Sequence, residues 1–223
     1  MKICVVLPAF NEATVIAGVV REVRALYPEV VVVDDGSSDD TVPRAAEAGA
    51  VVARHPLNRG QGAALQTGVT LGLRRGADCI VTFDSDGQHR VEDIAALVAP
   101  IEEGRAEIVL GTRFRGGDAE VPPARRVLLR CATIFTRVVS GARVTDAHNG
   151  LRAFSRRAAS EIEITMDRMA HASELIDQIR RSGLAYVEVP VTVRYTEYSK
   201  TKGQRAVGAF RILLDYLLGR LLG

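Results

Sequence analysis

Short apolar runs alternate with helix-like stretches in the first half of the chain, and this alternation constrains the fold most. The runs have the length and composition of buried strands, and the stretches between them have helical spacing. Apolar strands joined by helices are typical of a parallel sheet with right-handed crossovers. The predicted strands span residues 3–9, 30–37, 50–55, 79–86 and 107–114, and the predicted helices span residues 11–26, 39–49, 60–76 and 90–104. We therefore predict an α/β protein with a mostly parallel, twisted sheet flanked by helices.

The pattern changes after residue 115, where polar loops and longer helical stretches replace the regular alternation. The expected order is a loop over 115–126, a helix over 124–140, a polar loop over 141–150, mainly helix over 156–182, a strand over 185–196 and a helix over 203–223. No repeat or low-complexity tract divides the chain, and 223 residues suit one domain. We predict a single domain over residues 1–223, with 203–223 as a C-terminal amphipathic helix.

The cysteines, the N-terminal residues and the lengths of the apolar runs indicate the cellular location of the protein. Cys4, Cys79 and Cys131 have no CxxC spacing, so neither a zinc site nor a disulfide framework is expected. The N-terminus reaches a charged residue too early for a signal peptide, and no apolar run of the roughly 18 residues needed for a transmembrane helix occurs. We expect a cytoplasmic protein that does not span a membrane.

Charge is distributed unevenly along the chain. Residues 1–104 hold 9 Lys and Arg against 15 Asp and Glu, whereas residues 105–157 hold 11 Arg against 4 acidic residues. The acidic part could hold a cation and the basic part could hold phosphates. Solvated arginines on helix faces would explain the basic part equally well. Nucleic acid is not an expected partner.

Two carboxylates, Asp84 and Asp86, stand one residue apart at the end of the fourth predicted strand. Like charges this close repel each other unless a cation or a shared proton intervenes. Oxygen ligands suit Mg²⁺ or Mn²⁺, which take further oxygens from water and a substrate diphosphate, and Gln88 offers an amide oxygen. The alternative interpretation is a helix N-cap with a solvated turn, because a predicted helix follows.

A second acidic pair, Asp34 and Asp35, lies at the end of the second predicted strand. Such side chains can accept hydrogen bonds from a base N–H or from ribose hydroxyls, although Asp-Gly-Ser is also well suited to a turn. The glycine-rich stretch 58–68 lacks the GK[ST] of a P-loop, so it is weak evidence for phosphate binding. We expect its backbone to pack closely near a nucleotide.

Several segments together resemble glycosyltransferase family 2. They are LPAFNE at 7–12, VVDDGSSDDT at 32–41, NRGQGAALQTG at 58–68, DSDGQH at 84–89, GTRF at 111–114, DAHNGLRAFSRRA at 146–158 and EVPVTVRYTEYSK at 188–200. Within the family, the sequence is most similar to dolichol-phosphate mannose synthases and bacterial polyprenyl-phosphate glycosyltransferases. The resemblance implies a GT-A fold and inverting transfer of a hexose from a nucleotide sugar of the GDP-mannose or UDP-glucose type.

The resemblance also implies roles for individual residues. The implied nucleotide-sugar contacts are Pro8, Phe10, Glu12, Asp35, Asp84, Ser85, Asp86 and Arg113. Within that set, Glu12 and Asp35 would contact the nucleoside, and Pro8 and Phe10 would line the base pocket. The implied ligands of Mg²⁺ or Mn²⁺ are Asp84, Asp86 and Gln88. The candidate catalytic residues are Asp86, Arg113 and Arg126, of which the two arginines would face phosphate charge. The acceptor phosphate would lie near Arg194, Ser199 and Lys200.

A polyprenyl phosphate is the acceptor that the resemblance implies. It is already ionised at neutral pH, so its reaction needs no strong general base, whereas a hydroxyl of a soluble glycan or small molecule would need one. Asp146 and His148 are the nearest candidates for that base, and Asp146 therefore joins the candidate catalytic residues. The segment that holds them, 145–150, could equally be a capped turn.

The last segment, 203–223, carries a stripe of apolar side chains. The stripe consists of Phe210, Leu213, Leu214, Leu217, Leu218 and Leu221. Such a helix can lie in a membrane interface, with its basic residues near anionic lipid. Packing in the core or against another subunit would explain the same stripe. Peripheral contact with the inner face of the cell membrane is thus one interpretation, and the sequence does not indicate an oligomeric state.

Overall fold

The computed structural model describes residues 1–114, 130, 133–134, 137, 141–142, 144–166 and 171–194. The loop predicted over 115–126, the helix predicted over 203–223 and the candidate residues Arg126, Ser199 and Lys200 lie outside the described residues. Most of the helix predicted over 124–140 lies outside them as well.

Within the described residues, seven strands form one sheet, and the strand order is β3-β2-β1-β4-β6-β5-β7. The strands are β1 Ile3–Ala9, β2 Glu29–Asp34, β3 Val51–Arg54, β4 Cys79–Thr82, β5 Ile108–Thr112, β6 Arg152–Ser155 and β7 Tyr186–Pro190. β6 runs antiparallel to both of its neighbours, and every other pairing is parallel. The predicted mostly parallel sheet is confirmed.

Six helices flank this sheet within the described part of the chain. They are α1 Ile16–Leu26, α2 Thr41–Glu47, α3 Gln61–Arg74, α4 Asp93–Glu102, α5 Arg156–Glu161 and α6 His171–Ser182. None of the helices in this part of the chain is long and apolar enough to cross a membrane.

Several elements are shorter than predicted, and local contacts explain why. α1 begins at Ile16 and not at Asn11: Asn11 has a φ of 53°, a left-handed conformation that a right-handed helix cannot contain, and a turn over residues 13–15 precedes the helix. β2 ends at Asp34 because the Ser37 amide donates a hydrogen bond to Asp34 Oδ2 (3.1 Å), which turns the chain. The helical region predicted over 156–182 is divided into α5 and α6, because Ile162 is extended.

β6 was not predicted. It has only four residues, RAFS, and its first residue is a buried arginine, so it lacks the continuous apolar run that marked the other strands. Arg152 pairs with Thr82 of β4 and with Leu110 of β5. The strand therefore separates β4 from β5 and carries the preceding residues toward the ends of both.

The core consists of two apolar layers, one on each face of the sheet. Along β1, Val5 and Leu7 pack with α1 and α4, whereas Cys4 and Val6 pack with α3 and α6. Both faces of the central strands are buried, which accounts for their continuous apolar sequences. The carboxyl ends of the parallel strands are left at one edge of the sheet, where ligands bind in folds of this class.

α3 packs very close to the sheet because it has glycines on its inner face. A Cβ added to Gly68 would lie 2.1 Å from Val6 Cγ1, a distance that real Cβ atoms do not reach. This close approach sets the depth at which the N-terminus of α3 meets the ends of β1 and β4.

We expect Gly68→Ala to destabilise the protein by about 1–3 kcal/mol, because the added methyl overpacks the stiff, buried side chain of Val6. Gly18→Ala is the matched control, since Gly18 lies in α1 with no atom within 4 Å of an added Cβ. That control should be neutral or stabilising by up to about 1 kcal/mol. Urea unfolding measures both effects, and equal free energies of unfolding would contradict the packing argument.

Candidate active site

The loops after β1 and β2 are locked together by hydrogen bonds. The Asn11 amide donates to Ser37 Oγ (2.8 Å), and Asn11 Oδ1 accepts from the Ser38 amide (2.9 Å). The Glu12 amide donates to Thr41 Oγ1 (2.8 Å). The left-handed backbone of Asn11, which asparagine tolerates better than most residues, makes this arrangement possible. The two loops therefore form one preformed surface at the edge of the sheet.

Asp35 is buried and holds the turn that leads into α3. Its carboxylate accepts hydrogen bonds from the amides of Arg59 (3.0 Å) and Gly60 (2.6 Å). His55 Nδ1 lies 2.8 Å from Asp35 Oδ1, and His55 Nε2 lies 3.0 Å from Thr67 Oγ1. A carboxylate has about four acceptor positions, so these three donors leave Asp35 little capacity. The contact of Asp35 with a nucleoside stays a prediction. Its hydrogen bonds within the chain give it a structural role, because they hold the turn that leads into α3.

The predicted base-pocket residues lie around this surface. Pro8 and Glu12 are buried, whereas the Phe10 ring is 44% exposed at the rim. Ser85 is buried and its hydroxyl donates to the Pro8 carbonyl (2.7 Å), which ties the loop after β4 to the end of β1. The structure brings these four residues together, and their contacts with a nucleotide stay predictions.

The loop after β4 holds Asp84 and Asp86 in different ways. Gln61 Nε2 donates to Asp84 Oδ1 (3.1 Å), and His89 Nε2 lies 2.9 Å from Asp84 Oδ2. Asp86 Oδ1 accepts from the Gln88 amide (3.0 Å). Asp84 is thus contacted by side chains from α3 and from its own loop, whereas the hydrogen bond that Asp86 accepts within the described residues comes from its own turn. The role of Gln61 as a partner of Asp84 was not predicted, whereas His89 adjoins the acidic motif in sequence and was expected to be structural or to support the metal ligands.

Because Asp84 and Asp86 have different neighbours, their pKa values shift in opposite directions. Burial opposes the charge of Asp84, but the hydrogen bond and charge of His89, together with the charges of Arg152 and His171, lower the pKa of Asp84. Burial and the neighbouring Asp84 charge raise the pKa of Asp86 to about 6. At neutral pH both groups are therefore ionised, and the Gln88 hydrogen bond and the His89 charge offset their repulsion only in part.

This chemistry fits a divalent cation. Asp84, Asp86 and the side-chain amide of Gln88 offer oxygen atoms, which Mg²⁺ and Mn²⁺ prefer. Among the described residues, no group of three or more His, Cys, Asp and Glu is arranged to hold a metal. Such an ion would therefore complete its coordination with water and substrate oxygens, as Mg²⁺ commonly does.

Arg113 and Asp146 form a buried ion pair beyond the end of β5. Arg113 Nε lies 2.6 Å from Asp146 Oδ2, Arg113 Nη2 lies 2.8 Å from Asp146 Oδ1, and the Arg113 amide also donates to Oδ2 (3.1 Å). Burial would raise the pKa of Asp146, but the hydrogen bonds and charge of Arg113 lower it. Asp146 is thus an ionised partner of Arg113 and a weak base.

His148, the other candidate base, is neutral at physiological pH. Burial lowers its pKa to about 4, against the attraction of Asp146. Its Nδ1 is buried and makes no hydrogen bond to any residue that the structure describes. A group with this pKa accepts protons poorly at pH 7. Neither candidate thus has the properties expected of a strong general base.

Two charged residues inside strands were missed by sequence analysis. Arg152 on β6 is buried, its Nη2 donates to the Ala147 carbonyl (3.1 Å), and burial lowers its pKa to about 10, so it remains a cation. Glu188 on β7 accepts from the Thr145 amide (2.6 Å), the Thr145 hydroxyl (3.0 Å) and the Asp146 amide (3.3 Å). Both residues could have been identified from the sequence, because each is a charged residue within an otherwise apolar run.

The segment after β7 runs beside the loop after β4. The Arg194 amide donates to the Gln88 carbonyl (2.8 Å), and Val193 forms an isolated antiparallel bridge with His89. Arg194 is exposed. The structure therefore brings a predicted acceptor residue next to a predicted metal ligand, although the two are 106 positions apart in sequence.

A mostly parallel sheet with acidic side chains gathered after β1, β2 and β4 defines the GT-A fold of nucleotide-sugar transferases. The model of the family "Glycosyl transferase family 2" matches residues 4–163. The chain belongs to this family and is a glycosyltransferase.

Individual relatives are similar over nearly the whole chain. A UDP-N-acetylglucosamine–dolichyl-phosphate N-acetylglucosaminyltransferase of Methanococcus voltae is 31% identical and covers 99% of this chain and 98% of its own. A polyprenol monophosphomannose synthase of Mycolicibacterium smegmatis is 32% identical, with coverage of 89% and 79%. Glucosyl-3-phosphoglycerate synthase of Mycobacterium tuberculosis, crystallised with Mn²⁺ and UDP-glucose, has a TM-score of 0.73 at 26% identity, with coverage of 98% and 78%.

Asp86→Asn should stabilise the metal-free protein at pH 8 by about 1–3 kcal/mol, because it removes a repelled, partly buried charge. A raised carboxyl pKa contributes stability below about pH 4 that is lost as pH rises through 6. The gain should therefore shrink toward zero at pH 4. Urea unfolding in EDTA measures it, with the exposed Asp40→Asn as control. A gain that does not depend on pH would contradict the repulsion.

Asp146→Ala should destabilise the protein by about 3–5 kcal/mol, because it leaves the buried Arg113 without its carboxylate. Glu161→Ala breaks an exposed ion pair with Arg157 and should cost less than about 1 kcal/mol. Chemical unfolding of both variants distinguishes these cases. If Asp146→Ala were as mild as the control, the pair would have no structural role.

Proposed function

We propose that this glycosyltransferase moves a hexose from a nucleotide sugar to a polyprenyl phosphate, with inversion and with Mg²⁺ or Mn²⁺ as cofactor. The observation that carries the proposal is the repelling pair Asp84 and Asp86 in the loop after β4, at the sheet edge where the buried Arg113 follows β5. Transfer builds negative charge on a nucleoside diphosphate, and such sites place positive charge where that charge develops.

On the donor side, Asp84, Asp86 and Gln88 would hold the ion. When bound, the ion stabilises the charge of the leaving diphosphate. Arg113 is fixed by Asp146 through two side-chain contacts, so its guanidinium is held at one place at the edge of the sheet. The locked loops after β1 and β2 would receive the nucleoside, with the exposed Phe10 ring against the base. Arg126, outside the described residues, is proposed to face the same phosphates.

On the acceptor side, the weakness of the candidate bases favours a phosphate. Asp146 is paired with Arg113 and has a lowered pKa, and the pKa of His148 is about 4. A phosphate monoester has a second pKa near 6, so it is largely dianionic at pH 7 and needs no deprotonation. The exposed Arg194, beside Gln88, would attract it. Ser199 and Lys200 are proposed to assist.

The names of the relatives support the same acceptor class. The relatives from Methanococcus voltae and Mycolicibacterium smegmatis are named for a dolichyl phosphate and a polyprenol. A soluble acceptor is the second candidate, because the similar solved structure is a glucosyl-3-phosphoglycerate synthase. We also propose a cytoplasmic protein of one domain over residues 1–223, with peripheral membrane contact through residues 203–223.

Incubation with a panel of UDP- and GDP-hexoses and a short-chain polyprenyl phosphate in detergent tests the proposal. We expect a glycolipid product by mass spectrometry, no turnover in excess EDTA, and inverted anomeric configuration by NMR. Arg194→Ala should raise the KM for the lipid about tenfold through loss of one charged contact, with donor affinity unchanged. Arg180→Ala, an exposed arginine in the last turn of α6, is the control.

The contrary results are equally specific. Transfer to a free sugar or to phosphoglycerate, with none to polyprenyl phosphate, would select the soluble acceptor. Full turnover in EDTA would remove the cofactor from the mechanism. An equal effect of Arg194→Ala and Arg180→Ala would place Arg194 outside the acceptor site.

A further inference from the structure

Gly150 lies directly against the carboxylate of Asp84. A Cβ added to Gly150 would lie 2.3 Å from Asp84 Oδ2, 2.4 Å from Oδ1 and 2.6 Å from Cγ. All three nearest atoms belong to this one side chain, so the missing side chain of Gly150 is the space that Asp84 occupies. Gly150 is not among the glycines with positive φ, so its backbone alone does not require a glycine.

The backbone around Gly150 cannot easily retreat. The Thr82 hydroxyl donates to the Gly150 carbonyl (2.7 Å), and the Gly111 amide donates to the Leu151 carbonyl (3.0 Å). The Leu151 amide in turn donates to Asn149 Oδ1 (3.0 Å). Residues 149–151 are therefore fastened to β4 on one side and to the end of β5 on the other. A methyl group at position 150 would have to displace Asp84.

Two polar side chains also contact the Asp84 carboxylate. Gln61, at the start of α3, contacts Oδ1, and His89 contacts Oδ2. Three separate parts of the chain therefore determine where this carboxylate stands, namely α3, the loop after β4, and the segment that enters β6. Gln61 and His89 hold the carboxylate by polar contacts, whereas Gly150 leaves the space that the carboxylate occupies.

We propose that Gly150 is a positioning residue that sets the place of the Asp84 carboxylate, and through it the affinity for the divalent cation. This inference rests on the proposed function in that it takes Asp84 as a ligand of the ion. Displacing a ligand through a neighbouring contact typically weakens metal binding about 10–100-fold. We expect Gly150→Ala to weaken Mn²⁺ binding to that extent.

A double-mutant cycle with Asp84→Ala tests this inference. Binding of Mn²⁺ alone, followed by the electron paramagnetic resonance signal of the unbound ion, is measured for the wild type, Gly150→Ala, Asp84→Ala and the double variant. If Gly150 acts through Asp84, adding Gly150→Ala to Asp84→Ala should change the affinity less than about twofold. Gly18→Ala, which adds a methyl in open space, should match the wild type.

Folding is measured in parallel, because a steric conflict can unfold the chain. If Gly150→Ala does not fold, removal of the carboxylate should restore folding in the double variant, which supports the assigned contact. If neither variant folds, the conflict is with another group and the inference is wrong.

Three results of the Mn²⁺ measurements would also contradict the inference. They are an affinity of Gly150→Ala for Mn²⁺ equal to that of the wild type, an effect of Gly150→Ala that persists in the absence of the Asp84 carboxylate, and a wild type that binds no Mn²⁺. A wild type that binds Mn²⁺ but transfers no sugar would overturn the proposed function alone.

Discussion

β6 runs antiparallel between β4 and β5, and the site depends on this pairing. Because β6 points opposite to its neighbours, the residues that enter it lie at the carboxyl ends of β4 and β5. Asp146 thereby reaches Arg113, and Gly150 reaches Asp84. A parallel strand at this position would have entered from the opposite edge of the sheet, and neither contact would form.

The charges gathered at this edge balance only in part. Arg113 is matched by Asp146, and the buried cation Arg152 is attracted by both Asp84 and Asp146. Among the described residues Asp86 has no comparable partner, so burial and the charge of Asp84 raise its pKa to about 6. Within this part of the chain, the charge that is least compensated is thus that of Asp86, in the loop proposed to hold the ion. A divalent cation would therefore bind where the protein's own charges are least compensated.

The proposed donor side is rigid for reasons that are visible in its hydrogen bonds. The loops after β1, β2 and β4 are joined to one another through Asn11 and Ser85, and Asp35 ties the second loop to the start of α3. Such prior ordering reduces the entropy lost when a nucleotide binds. Because the loops are joined by these hydrogen bonds, several carboxylates that the sequence predicts as ligand contacts already have hydrogen-bond partners within the chain.

The amino-acid sequence by itself determined the α/β class, six of the seven strands, the acidic loops and the glycosyltransferase resemblance. These properties are visible in short segments, because an apolar run or a pair of neighbouring carboxylates can be recognised without knowledge of the fold. Only the tertiary structure decided the insertion of β6, the pairing of Arg113 with Asp146, and the confinement of Asp84 by Gln61, His89 and Gly150. The physical reason is distance along the chain: Arg113 and Asp146 are 33 positions apart, and Gly150 is 66 positions from Asp84. These two long-range contacts arise from the order in which the strands join the sheet, and neither residue spacing nor composition records that order.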